Sequence, residues 1–342
     1  NAYEDFRELL DNEDVDAVNV STPDHWHALI AIYSAKRGKH VYGQKPLAVT
    51  IEEGRAMANA VEKYGITWQT GSQQRSDSEF REAVEFVRNG RIGNLKTISI
   101  KIPGGHSDWN QMANRKDPEP VPVGLNYDLW EGPAPHREYR PALLPLNWRH
   151  NYDYSGGMIT DWGAHHVDIS QWAMDMDNSG PELIEIDYAD LPAASDIYNT
   201  ATRFKFTCTY KSGVRMEVQD NGGDNNGIVF KGDNGKSINV RRGSITMDPV
   251  DLRRERIKDG EWHAYKSTDH VGNFVDCIYS GKKTVAPIEA AHRTISICHL
   301  ANIAIRLGRK SLKWDPKKEQ VIGDSEANKW LSRPMHGGWK LS

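Results

Sequence analysis

The chain opens with the same motif three times over, a short apolar run followed by an amphipathic segment, and this alternation restricts its fold more than any other feature. Phe6, Leu9 and Leu10 fall at helical spacing within Tyr3 to Leu10, and Val15 to Val20 then reads as a buried strand. Ser21-Thr22-Pro23 ends that strand, and Asp24 to Arg37 reads as a helix. Gly38 suits its C-terminal cap, and His40-Val41-Tyr42 resumes as strand. Thr50 followed by Glu53 is a capping-box signature for a helix to about Tyr64, before a strand at Thr67 to Thr70 and a helix at Ser78 to Asn89. Crossovers of this length join parallel strands, so the first 93 residues predict half of a doubly wound parallel sheet covered by helices on both faces.

After Gly93 the pattern changes to alternating strands at Leu95 to Ile102, Glu182 to Tyr188 and Thr200 to Tyr210. Lys211-Ser212-Gly213 reads as a hairpin loop before Val214 to Gln219. Gly232-Asp233-Asn234-Gly235 reads as another between Ile228 to Lys231 and Ser237 to Val240. Helices return at Val271 to Tyr279 and Glu289 to Leu307, before a basic tail ending in Trp314-Asp315-Pro316. Residues 94–342 therefore predict an α+β domain with a large, mainly antiparallel open sheet and helices on one face. At 342 residues the chain exceeds the size at which one core stops growing, which fits two domains. The Trp-, Pro- and Asn-rich stretch from Trp109 to Tyr154 has weak periodicity, and loops of that length carry function.

Composition excludes several classes. A net charge of -4 provides no basic field for nucleic acid. The longest largely apolar stretch, Ile295 to Ile305, is interrupted by Cys298, His299 and Asn302 and is too short to span a bilayer. Three cysteines without a C-x-x-C pair indicate neither a disulfide scaffold nor a thiolate zinc site. The first residue is Asn1, running straight into a helical pattern, which predicts that an upstream segment has been removed and leaves localisation, cytoplasmic or periplasmic, unreadable.

Four constellations bear chemistry. In Ser155 to Asp168, Asp161, His165 and Asp168 lie at i, i+4 and i+7 and share one face if the segment is helical, so two acids flank one imidazole. A carboxylate beside His165 raises its pKa and keeps it an acid or base near neutral pH, although local ion pairing on a polar face explains the spacing equally well. Gly43-Gln44-Lys45-Pro46 follows a strand directly, and carboxyl ends of parallel strands line the ligand crevice; the alternative is a solvated loop lysine. Ser21 to His27 occupies the neighbouring strand end. Its H-x-H suggests metal less than helix entry or phosphate contact, and no spacing among His25, His27, His165 and His166 forms a standard ligand set, so no metal is assigned. Asn147-Trp148-Arg149 with Tyr152 supplies flat rings and a guanidinium that suit a polyhydroxylated ligand, or that anchor a loop.

In this order and at these gaps the segments, together with Gly71-Ser72-Gln73 and Gly156-Gly157, resemble the glucose-fructose oxidoreductase and inositol dehydrogenase family, Gfo/Idh/MocA, from about Tyr3 to Trp314. The resemblance implies a Rossmann-like domain binding NAD or NADP at residues 1–93, a substrate and oligomerisation domain at 94–342, and hydride transfer between the nicotinamide and a sugar, sugar derivative or glycoside hydroxyl. A redox-neutral enzyme eliminating or cleaving glycosides with bound NAD, and a non-catalytic scaffold, are the alternatives. By the same resemblance Lys45, Asp161 and His165 match catalytic positions. Ser21, Thr22, Pro23, His25, Gln44, Lys45, Trp148 and Arg149 match cofactor-facing ones, and Lys45, Trp148, Tyr152, Asp161 and His165 would meet a carbohydrate substrate. It also implies a homo-oligomer formed through the open sheet. Two departures stand out. Gln44 precedes Lys45 where the family commonly has glutamate, and no G-x-G-x-x-G occurs, so the first strand-helix unit is expected upstream of Asn1.

Overall fold

The computed structural model describes residues 1–109, 111–220 and 226–341. The first elements are α1 (Phe6–Leu10), β1 (Ala17–Val20), α2 (Asp24–Lys36), β2 (His40–Gly43), α3 (Ile51–Tyr64), β3 (Trp68–Thr70) and α4 (Ser78–Arg88). Thr50 caps α3 as its sequence predicts, its hydroxyl accepting from Glu53 N while Glu53 Oε2 accepts from Val49 N. The strands form a three-stranded sheet in the order β1-β2-β3, parallel throughout.

Helical cover on both faces is realised for part of this sheet only. Val41 packs under α2, and α2 packs on α3. On the opposite face Tyr42 meets the rings of His270 and Phe274 edge-on. Asn19, the register partner of Tyr42 in β1, stays exposed, because no helix of the described residues reaches that far.

The larger sheet has nine strands in the order β10-β9-β8-β4-β7-β6-β5-β11-β12. They are β4 (Leu95–Ile102), β5 (Leu183–Asp190), β6 (Arg203–Thr209), β7 (Arg215–Asp220), β8 (Gly227–Gly232), β9 (Ser237–Arg241), β10 (Ser244–Asp248), β11 (Ser311–Asp315) and β12 (Gln320–Ile322). Only β4 and β7 pair in parallel. Alternate residues point one way, with Ile98, Ile100 and Ile102, Phe204 and Phe206, Met216 and Val218, and Ile228 and Phe230 all buried. Against that face lie α6 (Gly157–Ala173) and α8 (Ile288–Arg306), while α4 packs on α6, β9 and β10. The connecting stretch carries α5 (Tyr127–Glu131), and α7 (His270–Ser280) precedes α8. The basic tail expected after Leu307 is instead β11 and β12, closing one edge of the sheet, followed by α9 (Ser325–Lys329); the alternation of Leu312 and Trp314 with Ser311, Lys313 and Asp315 is the strand signal there.

Two close approaches lock α6 in place. Gly157, at φ +69°, turns the chain into the helix where Thr200 leaves 2.6 Å for a Cβ, and Gly163 brings α6 against Cys298 of α8, where a Cβ would lie 2.5 Å from the sulfur. Beyond α9 the chain returns across the N-terminal part. Leu331 O accepts from Glu52 N at 2.9 Å, Arg333 pairs with Glu53 at 2.6 Å, and the Trp339 ring packs on Trp26 and Phe6.

Candidate active site

Lys45 follows β2 by two residues and is held there by its loop. His27 of α2 lies between the two backbone segments, with Nδ1 2.8 Å from Pro46 O and Nε2 2.9 Å from Thr22 O. Across the crevice, Lys45 Nζ donates to Asp161 Oδ1 at 2.8 Å and to Asp161 O at 3.1 Å, bridging the small sheet and α6. Arg149, on the 3₁₀ turn Asn147–His150, brings Nε to 3.5 Å from the same Oδ1 and lies over the Trp148 ring at 4.4 Å and the Trp109 ring at 5.4 Å. Burial alone would raise the Asp161 carboxyl, but Lys45 and Arg149 outweigh it and hold the group below its ordinary value. Two cations on one carboxylate leave a local excess of one positive charge.

One turn further along α6, His165 behaves opposite to expectation. No acid flanks it among the described residues: Asp161 is taken by Lys45 and Arg149, and Asp168 by Arg75 in a two-bond pair at 2.7 and 2.8 Å. Burial, then Lys45, Arg242 and His166, pushes the imidazole well below its ordinary value, so it is neutral near pH 7. Its Nδ1 is sealed from solvent without a partner, and neither ring nitrogen has a hydrogen bond among the described residues. Sharing a helix face thus placed the three residues correctly, yet cations from other elements set their charges. Arg242, in the β9–β10 turn and over the Trp162 ring at 5.0 Å, is one that no nearby sequence signal reveals.

The shared face has a separate structural use at Asp168. Burial opposes the Arg75 charge, but Asp168 and Asp177 hold that guanidinium above its ordinary value, and Thr294 of α8 donates to Asp168 at 3.3 Å. Arg75 is 2% exposed, and it ties the segment after β3 to α6.

The remaining expected residues divide. Ser21 and Thr22 are exposed at the end of β1, Pro23 caps α2 from its half-buried position, and half-buried Gln44 packs against Gly71, so these face the same crevice edge as Lys45. Three others are placed elsewhere. His25 is walled in by Trp130 and Tyr154, bonded to Trp130 O at 2.8 Å and held at about 3 by burial. Trp148 is 3% exposed, its indole N–H given to Pro145 O, and it serves as a floor under Arg149. Tyr152 donates to Asn302 at 3.2 Å and lines a different cavity, whose walls include none of Lys45, Arg149, Asp161 or His165. His25 is held by rings from distant sequence, Trp148 lies beneath its neighbour Arg149, and Tyr152 lies against Asn302 and Arg306 of α8.

Comparison with known proteins agrees with this fold. Residues 77–341 match the C-terminal alpha/beta domain of the Gfo/Idh/MocA oxidoreductase family, and residues 1–72 its NAD-binding Rossmann fold. Levoglucosan dehydrogenase of Pseudarthrobacter phenanthrenivorans is 28% identical over 174 residues, 50% of this chain and 36% of that protein. Myo-inositol 2-dehydrogenase of Thermotoga maritima is 31% identical over 192 residues, 55% of this chain and 43% of that protein. The chain thus spans less than half the length of both relatives. Among solved structures, levoglucosan dehydrogenase with NADH and levoglucosan superposes with a TM-score of 0.65 at 18% identity, covering 91% of this chain and 83% of that one. Aldose-aldose oxidoreductase of Caulobacter crescentus, with glycerol, gives 0.63 at 19%, covering 91% and 83%. With family models matching along nearly all of its length, the chain belongs to the Gfo/Idh/MocA oxidoreductases.

Proposed function

We propose that the Lys45–Asp161–His165 cluster transfers a proton to or from a carbohydrate hydroxyl while a nicotinamide, NAD or NADP, exchanges hydride with the carbon that bears it. The observation that carries this reading is the 2.8 Å bond from Lys45 Nζ to Asp161 Oδ1, which joins a strand end of the small sheet to the helix bearing His165. When bound, the nicotinamide supplies hydride chemistry. Ser21, Thr22, Gln44, Lys45 and Arg149 are the residues of this chain placed to hold that end of the cofactor. A neutral His165 with no hydrogen-bond partner among the described residues can accept the hydroxyl proton, and the net positive charge of Lys45, Arg149 and Asp161 stabilises the oxygen as that proton leaves. Asp161 keeps the lysine aimed. The names of the relatives, which act on levoglucosan and inositol, support a polyhydroxylated substrate.

The division into a nucleotide-binding and a substrate-binding domain belongs to the same reading. The packing of α4 on α6 and the large sheet favours a boundary near residue 72 over one near 93. The second face of the nine-stranded sheet, where Tyr188 is 37% exposed, supports contact with another copy of the chain, which light scattering tests. The activity is tested by following nicotinamide absorbance with a panel of sugars and polyols and either dinucleotide. Lys45→Met and His165→Ala are expected to lower turnover about 10²- to 10⁴-fold without loss of fold. Turnover without net reduction of the dinucleotide would replace dehydrogenation with redox-neutral chemistry, and wild-type rates in either variant would remove that residue from the mechanism.

A further inference from the structure

A cavity of about 320 Å³ lies behind the α6 entry, between the loop after Lys45, the end of α8 and the segment that follows α9. Its charged lining is Asp153, Arg306, Lys329 and Arg333. Two of these are already neutralised: Arg333 pairs with Glu53, and Asp153 with Arg137. The other two are not. Neither Arg306 nor Lys329 has an ion-pair or hydrogen-bond partner among the described residues, although Asp153 attracts Arg306 from further off, so the cavity presents two cations without a bonded acid.

Arg306 is exposed, but its setting is more specific than that of a free surface cation. Its guanidinium carbon is 4.2 Å from the Tyr152 ring centroid and 4.2 Å from that of Trp330, so two aromatic rings hold it. Groups held on their faces by rings keep only the N–H edge for polar partners, and that edge is the fork that matches a planar or tetrahedral oxyanion. Tyr152 is itself fixed by its bond to Asn302, which also donates to Gly156 O at 2.9 Å. The arginine is therefore oriented before any ligand arrives.

We infer that this cavity binds a phosphate dianion, free or as the monoester of a small molecule, through the Arg306 fork and the Lys329 ammonium. Two cations without a bonded acid match a dianion, and the volume accommodates a phosphate with a small organic group attached. The inference stands apart from the proposed redox chemistry, because none of the Lys45 cluster lines the cavity.

Titration calorimetry of the whole chain with inorganic phosphate, at ionic strength fixed by chloride, tests it. Saturable binding is expected in the wild type, weakened about 10- to 100-fold by Arg306→Met, which retains an apolar stem between the rings, and by Lys329→Met at an exposed helix end. Melting in chloride alone confirms that both variants fold. A sugar phosphate binding more tightly than inorganic phosphate identifies a monoester as the occupant, equal affinities identify free phosphate, and either upholds the site. No saturable binding by the wild type overturns it, as does unaltered binding by Lys329→Met together with Arg306→Met. Displacement of phosphate by NADH overturns its separateness and makes the cavity part of the dinucleotide site.

Discussion

The bond between Lys45 and Asp161 is open to a thermodynamic test independent of any substrate. Unit charges 2.8 Å apart attract by about 6 kcal/mol at an effective dielectric near 20. Withdrawing them from water cancels much of this, since the side chains are only 19% and 10% exposed. Arg149 at 3.5 Å also compensates Asp161 when the lysine is lost. A double-mutant cycle of Lys45→Met, Asp161→Asn and the pair should therefore give a coupling energy of about 2–3 kcal/mol, with the double variant more stable than the two single losses predict. Urea unfolding at pH 7, followed by both tryptophan fluorescence and far-UV circular dichroism, measures it, provided the slopes stay constant. A coupling below about 0.5 kcal/mol would show that the two groups are solvated independently, and the argument that Asp161 orients the lysine would collapse.

Three further outcomes follow from the described packing. Arg75→Met leaves Asp168 buried and uncompensated and should cost about 3–5 kcal/mol, most of it recovered by adding Asp168→Leu; an equal or larger loss in the double variant would contradict the pairing. His25 and His166 are held at about 3, and His150 and His299 at about 4, in each case mainly by burial. Below about pH 6.5 the unfolded chain takes up protons that the native histidines refuse. Stability should thus be full above that pH and fall as pH drops through 6 and 5, by about 1.4 kcal/mol per unit for each histidine. Urea melts across this range should show a shallower acid limb for His299→Gln, and parallel limbs would refute the assignment. Gly157→Ala combines a left-handed backbone with a clash on Thr200 and should lower stability by about 2–4 kcal/mol in a thermal melt, whereas a neutral result would mean that the entry to α6 relaxes.

What could be read from the residues was local, and what escaped was the pairing of charges over long sequence separations. The alternation through Thr70 and the Thr50–Glu53 box identify their elements because hydrophobic period and capping are properties of neighbouring residues. The spacing of Asp161, His165 and Asp168 likewise placed them on one helix. Their ionisation could not be read that way, because Lys45, Arg149, Arg75 and Arg242 arrive from four other segments, and each acid was satisfied before it could reach the imidazole. The aromatic loop illustrates the same limit. Trp148 and Tyr152 have the composition of a sugar platform, but whether a ring faces solvent or packs beneath an arginine depends on residues more than 100 positions away in the case of Tyr152 and Arg306. The strands β11 and β12 were missed because, at five and three residues, they are too short for their two-residue alternation to stand out in a basic segment.

The segment after α9 has a consequence for how the molecule comes into being. Trp339 packs on Phe6 and Trp26, and Arg333 reaches Glu53, Asp153 and His25, so the early elements are completed by residues that follow much later in the chain. During synthesis the early strands and helices emerge with their Trp26 and Phe6 surfaces bare, and no intermediate length of chain can cover them in the native way. The early strands and helices must therefore wait, with these surfaces uncovered, until the segment after α9 has left the ribosome.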